Sequence, residues 1–314
     1  MTLPVVVVAG PTASGKSTLA LALAERFDGV VVNADSMQLY HELDILTDRP
    51  GPEALARAPH ALYGVVAAAE GCSVGRWRTM ADAEIERARR ERRVAFVTGG
   101  TGLYLRALMA GLAAIPDIPT AIRRAARAHL AAVGPGGIHA ELAERDPAMA
   151  ARLGVSDRQR LVRAWEVLEA TGQSLAEWQD APNQAPPEDW KFFSLRLLPP
   201  REAVYAACDD RFDRMIERGA LEEVRALAAL GLDPGLPAMK AVGVPPMIRS
   251  VAGDIPLEEA RQLAQRDTRR FARRQMTWFR NQLTPNLSLS AQYSESMNSV
   301  IFPLISDFLL TTDQ

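Results

Sequence analysis

The chain has 314 residues, 48% of them hydrophobic, with 36 basic side chains against 38 acidic ones and a mean hydropathy of −0.06. Such a composition belongs to a globular chain of about two domains with enough apolar mass for a core, and it excludes disordered, collagen-like and disulfide-stapled classes. The net charge of −2 argues against a uniformly polyanion-binding surface but not against a local basic patch.

Residues 4–9 are a continuous apolar run, PVVVVA, expected as a buried parallel strand. Residues 10–17 read as a turn, and Leu19, Leu23 and Phe27 at helical spacing predict a helix over 18–27. A second short strand is expected at 30–34, ending at Asp35, and a charged helix within 76–93. A third strand at 94–98 runs into the loop Gly99-Gly100-Thr101-Gly102 and a helix start at 103–108. Strands alternating with helices predict an α/β fold with a parallel sheet. From 116 to 189 the chain is rich in Ala, Arg, Glu and Leu at helical periodicity, which predicts a helical insertion within a core of 1–115 and 190–283. A further core strand is expected at 192–198, helix from 201 onward, and one long helix over 257–280. Residues 284–314 contain no Lys or Arg. Docked segment and unrelated appendage are both open for this tail, and no function attaches to it.

Only three of the basic residues are lysines, Lys16, Lys191 and Lys240, a bias that GC-rich coding explains. Lys16 stands apart because it lies in a glycine-rich loop. No run of about 18 uncharged apolar residues and no basic N-terminal region occur, so neither a membrane helix nor a signal peptide is expected. Cys72 and Cys208 share no motif spacing, which fits free thiols in a cytoplasmic protein. His41, His60, His129 and His139 form no metal-ligand pattern.

Gly10-Pro11-Thr12-Ala13-Ser14-Gly15-Lys16-Ser17 satisfies G-x-x-x-x-G-K-[ST] between an expected strand and an expected helix. Glycines let the backbone wrap an anion with successive N–H groups, and the helix N-terminus adds positive potential. Lys16 supplies a point charge, and the Ser17 hydroxyl can ligate Mg²⁺. The expected ligand is a di- or triphosphate, and the expected fold a P-loop NTPase-like parallel sheet core flanked by helices. Asp35 should face the same strand ends. A metal carboxylate, a general base and a helix N-cap are all open for it. The strand at 94–98 ends in Gly-Gly-Thr-Gly without the carboxylate that a nucleotide hydrolase would present there. Residues 261–280 carry seven arginines (261, 266, 269, 270, 273, 274 and 280) against Asp267 alone, a local +6 beside Phe271, Trp278 and Phe279. Clustering of this kind favours a polyanion contact over a merely solvated face. The arginines of 158–163 make a weaker case.

The series GPTASGKS with Thr18, NADSMQLY (33–40), TGGTGLYLRAL (98–108), SDRQRLVRAWEV (156–167), DDRFDRMIERGALEEVRAL (209–227), LPAMKAVG (236–243) and RRQMTWFR (273–280) resembles the tRNA dimethylallyltransferase family. The likeness spans most of 4–283. It implies transfer of a dimethylallyl group from dimethylallyl diphosphate to N6 of the adenosine just 3′ of the anticodon, position 37. The loop 10–18 would then hold a diphosphate leaving group, with Lys16 and Arg211 neutralising it and Mg²⁺ on Ser17. Asp35 matches the family's general base. Ser36, Met37, Gln38, Thr101, Arg123, Gln159, Arg160, Leu161, Val162, Arg163, Arg273, Arg274 and Arg280 match or neighbour family tRNA-contact positions. The implied partners are the tRNA anticodon stem-loop and dimethylallyl diphosphate, with no membrane and a monomeric chain. Two segments depart from the family pattern. Residues 44–50, DILTDRP, replace the common Asp-Ile-Gly-Thr-Ala-Lys-Pro, and Val244-Pro245-Pro246 replaces an aromatic-basic-Gln sequence, with two prolines that lack backbone donors. Prenyl transfer to a free adenine nucleotide, a P-loop small-molecule kinase and a nucleotide-gated RNA-binding protein are the competing readings.

Overall fold

The computed structural model describes residues 2–181 and 184–312. In chain order the elements are β1 (Leu3–Ala9), α1 (Lys16–Arg26), β2 (Gly29–Asn33), α2 (Pro52–Arg57), β3 (His60–Ala61), α3 (Val74–Arg90), β4 (Val94–Gly99) and α4 (Gly102–Ala110). Four helices follow: α5 (Thr120–Arg145), α6 (Pro147–Ala150), α7 (Arg158–Thr171) and α8 (Leu175–Asp180). The chain then forms β5 (Trp190–Leu197), α9 (Arg201–Glu217), α10 (Ala220–Ala229), α11 (Val244–Val251), α12 (Leu257–Gln282), β6 (Leu287–Leu289) and α13 (Asn298–Thr312).

The six strands make one sheet in the order β3-β2-β4-β1-β5-β6, every pairing parallel. β1 lies inside it, with Val7 opposite Val97 on β4 and opposite Ser194 on β5. Its unbroken valine run follows from burial on both faces. Val5 and Val7 enter the core shared with α3, α4, α10 and α11, while Val6 and Val8 enter the core shared with α1 and α13. β2 ends at Asn33, so Asp35 stands on the turn just past the strand rather than at its last residue. β3 is a two-residue edge and β6 three residues long. Neither carries a periodic signal, which is why the sequence did not predict them.

Two compact units divide the chain: one made of residues up to Met109 together with Pro187 onward, the other Ala110–Pro186. The second unit packs Ile138, Leu142, Met149, Leu161, Val167 and Leu175 into its own core. Its long helix α5 breaks at Gly134, which has φ +68°, immediately before Pro135. Among the described residues no helix is long and apolar enough to cross a membrane.

The C-terminal segment is docked, which settles the question its composition left open. β6 extends the sheet beyond β5, and α13 packs on β1 and β5 with Ile301 and Ile305 fully buried. Phe302 meets Phe27 edge-on at 5.8 Å between ring centroids, and Phe308 meets Phe193 at 5.3 Å. Pro245 and Pro246 fall in the first turn of α11, behind Gly243 as N-cap. Amides in a helix's first turn lack intrahelical acceptors anyway, so the donors lost to proline are not missed there. Ile305→Ala should cost about 2–5 kcal/mol through the cavity it leaves. Reversible denaturant unfolding checks this, and an unchanged midpoint would show that α13 is not part of the cooperative fold.

Candidate functional site

The chain leaves β1 at Ala9 and reaches α1 through residues 10–15. Ala13 has φ +60° and Gly15 φ +85°, two left-handed residues that fold the loop back over the start of α1. A side chain at Gly15 would be strained at that φ and would also meet Tyr293, 2.9 Å from an added Cβ. The loop's carbonyls are tied away from its mouth. Pro11 O accepts from Lys16 Nζ (3.3 Å), Ala13 O from Gln292 Nε2 (3.0 Å), Ser14 O from Tyr293 N (3.1 Å) and Gly15 O from Leu19 N (3.0 Å). The amides of residues 13–17 find no acceptor among the described residues. Ser14 Oγ and Arg211 Nε are likewise buried without a partner. A nest of free donors at a helix N-terminus is built for an anion.

Burial lowers the Lys16 ammonium pKa below the ordinary lysine value. The carboxylates of Asp35 and Asp48 oppose that shift, and the Arg211 guanidinium adds to it. An arriving anion relieves both the lost solvation and the like-charge repulsion. Arg211, on α9, donates through Nη2 to the Thr12 hydroxyl, while its Nη1 stands 3.7 Å from Asp48 Oδ2. Arg218 Nη1 approaches Asp48 Oδ1 at 3.2 Å. Asp48, where the resembled family commonly has alanine, therefore places a carboxylate among the cations that face the loop. Glu223 holds its segment by accepting from the amides of Asp44 and Ile45 (both 2.7 Å) and Leu46 (2.9 Å). Gln38 supports the same segment, its Nε2 donating to the carbonyls of Thr47 (2.8 Å) and Asp48 (3.1 Å). A cavity of about 320 Å³ beside the loop is lined by Ser17, Thr18, Asp48, Arg57, His60 and Tyr63 among others, a volume suited to a small ligand.

The turn after β2 brings in Asp35. Its Oδ1 accepts from Met37 N (3.0 Å), an Asx-type turn bond rather than a helix cap, since the next helix begins only at Pro52, and its Oδ2 accepts from no described residue. Asn33 braces the turn from its buried side chain, accepting from Asp35 N (2.8 Å) and donating to Leu62 O (2.9 Å). Thr101 locks the neighbouring loop onto it, its hydroxyl accepting from Ser36 N (2.9 Å) and its amide donating to Ala34 O (3.2 Å). Met37 packs partly buried against the core.

The basic stretch of α12 is less cationic than its count suggests. Arg261 pairs with Glu258 and Asp213, Arg266 and Arg270 with Asp267, and Arg269 with Asp209. Arg273, Arg274 and Arg280 are exposed and have no carboxylate partner among the described residues. In the second unit, Gln159 and Arg160 are exposed on the first turn of α7, with Arg160 3.6 Å from Asp157. Arg163 lies 3.4 Å from Glu166, Arg123 is half-buried with Nε unpartnered, and Val162 is partly buried. Leu161 is fully buried in that unit's core, so its side chain is a packing group and not an RNA contact.

Asp48, Glu223 and Gln275 escaped the sequence reasoning. Asp48 showed only as a departure from the family pattern, and Gln275 as a polar residue on the buried stripe of α12 formed by Ala264, Thr268, Ala272 and Phe279.

Comparison with known proteins places the chain in a family. The family model described as IPP transferase matches residues 38–282, and one described as isopentenyl transferase matches 3–61. A tRNA dimethylallyltransferase of Rhodospirillum centenum is 57% identical over 282 residues, 90% of each chain. One from Rhodospirillum rubrum is 51% identical over 312 residues, 98% of this chain and 96% of the relative, so the C-terminal segment has a counterpart there. The crystal structure of the full-length tRNA isopentenylpyrophosphate transferase of Bacillus halodurans superposes with a TM-score of 0.70 at 28% identity, covering 100% of this chain and 98% of that one. A eukaryotic dimethylallyltransferase acting on tRNA superposes with a TM-score of 0.82 at 26% identity, covering 98% and 80%.

Removing the carboxylate in Asp48→Ala should tighten binding of inorganic pyrophosphate. The repulsion removed is solvent-screened and worth about 1 kcal/mol, roughly fivefold in affinity. Isothermal titration without divalent ions measures it, and weaker binding in the variant would show that Asp48 supports the anion instead of opposing it.

Proposed function

The chain belongs to the IPP transferase family, and on that premise we propose that it transfers a dimethylallyl group from dimethylallyl diphosphate to N6 of adenosine 37, next to the tRNA anticodon. The observation that carries this reading is the meeting of two loops at the strand ends. A diphosphate-sized set of free amides at 13–17 stands near a carboxylate, Asp35, with one oxygen unused.

In the reaction N6 attacks the allylic C1, forming the C–N bond as the C1–O bond to the diphosphate breaks. The electron pair of that bond leaves on the diphosphate oxygen, and the N6 proton passes to Asp35 Oδ2. Residues Gly10–Ser17 provide the amide nest, and Lys16 and Arg211 provide the positive charge where negative charge develops. The base must leave the anticodon-loop stack to reach C1. Arg273, Arg274 and Arg280 on α12, and Gln159 and Arg160 on α7, are the exposed groups suited to an RNA backbone.

Ser17, exposed at the start of α1 and lining the cavity with Asp48, gives the hard oxygen donors that Mg²⁺ prefers. Among the described residues no three His, Cys, Asp or Glu side chains gather around a metal, so a bound ion would share its shell with diphosphate oxygens. Such an ion would add Lewis-acid stabilisation of the leaving group. Cys72 and Cys208 are both free thiols, in keeping with a reducing cytoplasm, and a monomer is the simplest state. A free-nucleotide acceptor would leave the exposed arginines of α12 and α7 without a role. The absence of a carboxylate after β4, where the chain reads Gly99-Gly100-Thr101, weighs against nucleotide hydrolysis at this loop.

Incubation with dimethylallyl diphosphate, Mg²⁺ and an anticodon stem-loop bearing adenosine 37 should yield N6-dimethylallyladenosine by nucleoside mass analysis. Folded protein giving no such product would overturn the proposal. Asp35→Asn should lower kcat by about 10²-fold or more with tRNA affinity little changed. Normal turnover in that variant would remove Asp35 from the base role.

A further inference from the structure

We propose that Gln275 is a positioning residue that fixes the register between the leaving-group loop and the acceptor loop. The inference rests on the prenyl-transfer reading and assigns it a residue on α12 that acts through the two loops it bonds. Gln275 is 6% exposed, and its carboxamide is used at both ends. Oε1 accepts from Thr12 N at 2.8 Å, and Nε2 donates to Gly100 O at 2.9 Å. Thr12 opens the stretch of free amides, and its hydroxyl also receives Arg211. Gly100 precedes Thr101, whose hydroxyl holds Ser36 N beside Asp35. One side chain therefore links the loops after β1 and β4, and through Thr101 the loop after β2. The diphosphate donors, the cationic clamp and the base hang on one chain of hydrogen bonds.

The approach is close enough to dictate the residues. A Cβ added at Gly100 would lie 2.2 Å from Gln275 Nε2 and 3.5 Å from Asp35 Oδ2. Only glycine lets the amide reach that carbonyl. The side chain must accept on one side and donate on the other, which a carboxamide does and an ionised carboxylate cannot. Displacement at an allylic carbon needs nucleophile, carbon and leaving oxygen in line, so a small shift between the two loops costs rate more than it costs binding to either.

That distinction sets the test. In Gln275→Glu the introduced carboxyl keeps the acceptor toward Thr12 N in either state but donates to Gly100 O only while protonated. The titratable and charged groups near it include Asp35, Lys16, Arg211 and, packed against α12, Cys208, and their own titration is removed by comparison with wild type over the same pH range. The measurements are kcat and KM for dimethylallyl diphosphate against pH, together with the Kd for inorganic pyrophosphate. Gln275→Glu should approach wild-type kcat at the acid end and lose about 10²-fold as its carboxyl ionises, with pyrophosphate Kd moving far less. Gln275→Leu should show the same loss at every pH. Should Gln275→Leu fail to fold, Gln275→Glu carries the test, since it preserves size and shape. A Gln275→Glu profile parallel to wild type, or a loss carried equally by kcat and pyrophosphate Kd, overturns the positioning role. A wild type that makes no prenylated product overturns the functional reading itself and this inference with it.

Discussion

Five backbone N–H groups, those of residues 13–17, face no acceptor among the described residues, and the surrounding structure is arranged to keep them so. Buried or half-buried amides normally find partners within the fold. Here the obvious competitors, the loop's own carbonyls, are drawn off by Lys16, Gln292, Tyr293 and Leu19. The two pulls from Gln292 and Tyr293 come from the segment between β6 and α13, nearly 280 residues downstream. The docked C-terminus thus helps keep the N-terminal loop's amides free by occupying two of its carbonyls. The segment's lack of Lys and Arg fits that role, since α13 contributes apolar contacts and the loop takes only amide donors from the turn before it.

Charge is handled as locally as hydrogen bonding. A chain of net −2 concentrates Lys16 and Arg211 at the loop and balances them with Asp35 and Asp48. The Arg211 charge adds to the lowering of the Lys16 pKa by burial, and the carboxylates oppose it. The two cations at the loop thus face two carboxylates, and the site carries no bare positive hole. The same economy runs along α12, where acids of α9 and of α12 itself pair with four of the seven clustered arginines. Pairs so exposed contribute little to stability. Their consequence is spatial, because they confine free cationic charge to Arg273, Arg274 and Arg280.

What was legible in the residues and what was not divides along sequence distance. The loop 10–17 was legible because its motif encodes a local backbone path, positive φ at Gly15 included. The core strands were legible because burial on both faces imposes unbroken valine. Asp35 was placed near the glycine-rich loop by the rule that parallel strands open at their C-termini, and its turn bond to Met37 N coexists with a free second oxygen. Glu223 was invisible because a glutamate on an amphipathic helix has the same appearance whether it meets water or three backbone amides. Asp48 was visible only as a departure from a pattern. Leu161 was misassigned because it lies inside a run of basic residues, whereas helical periodicity turns it into the core of its unit. The prolines at 245 and 246 seemed a loss of donors until the helix start placed them where donors go unused.

The motifs at 98–108 and 273–280 lie some 175 residues apart, yet they are two sides of one contact, Gln275 Nε2 on Gly100 O. Strands fix the heights of the loops that follow them, while the angles between those loops depend on bonds beyond the sheet ladder. In a reaction whose chemistry is displacement at carbon, those angles set the rate. Cross-loop hydrogen bonds must therefore supply the rigidity that the sheet cannot. A glycine that admits an amide, and an amide that both accepts and donates, form the smallest pair able to do so in the space between Thr12 and Gly100. It follows that α12, far from the phosphate loop in sequence, governs the geometry of the transfer as directly as the residues of the loop.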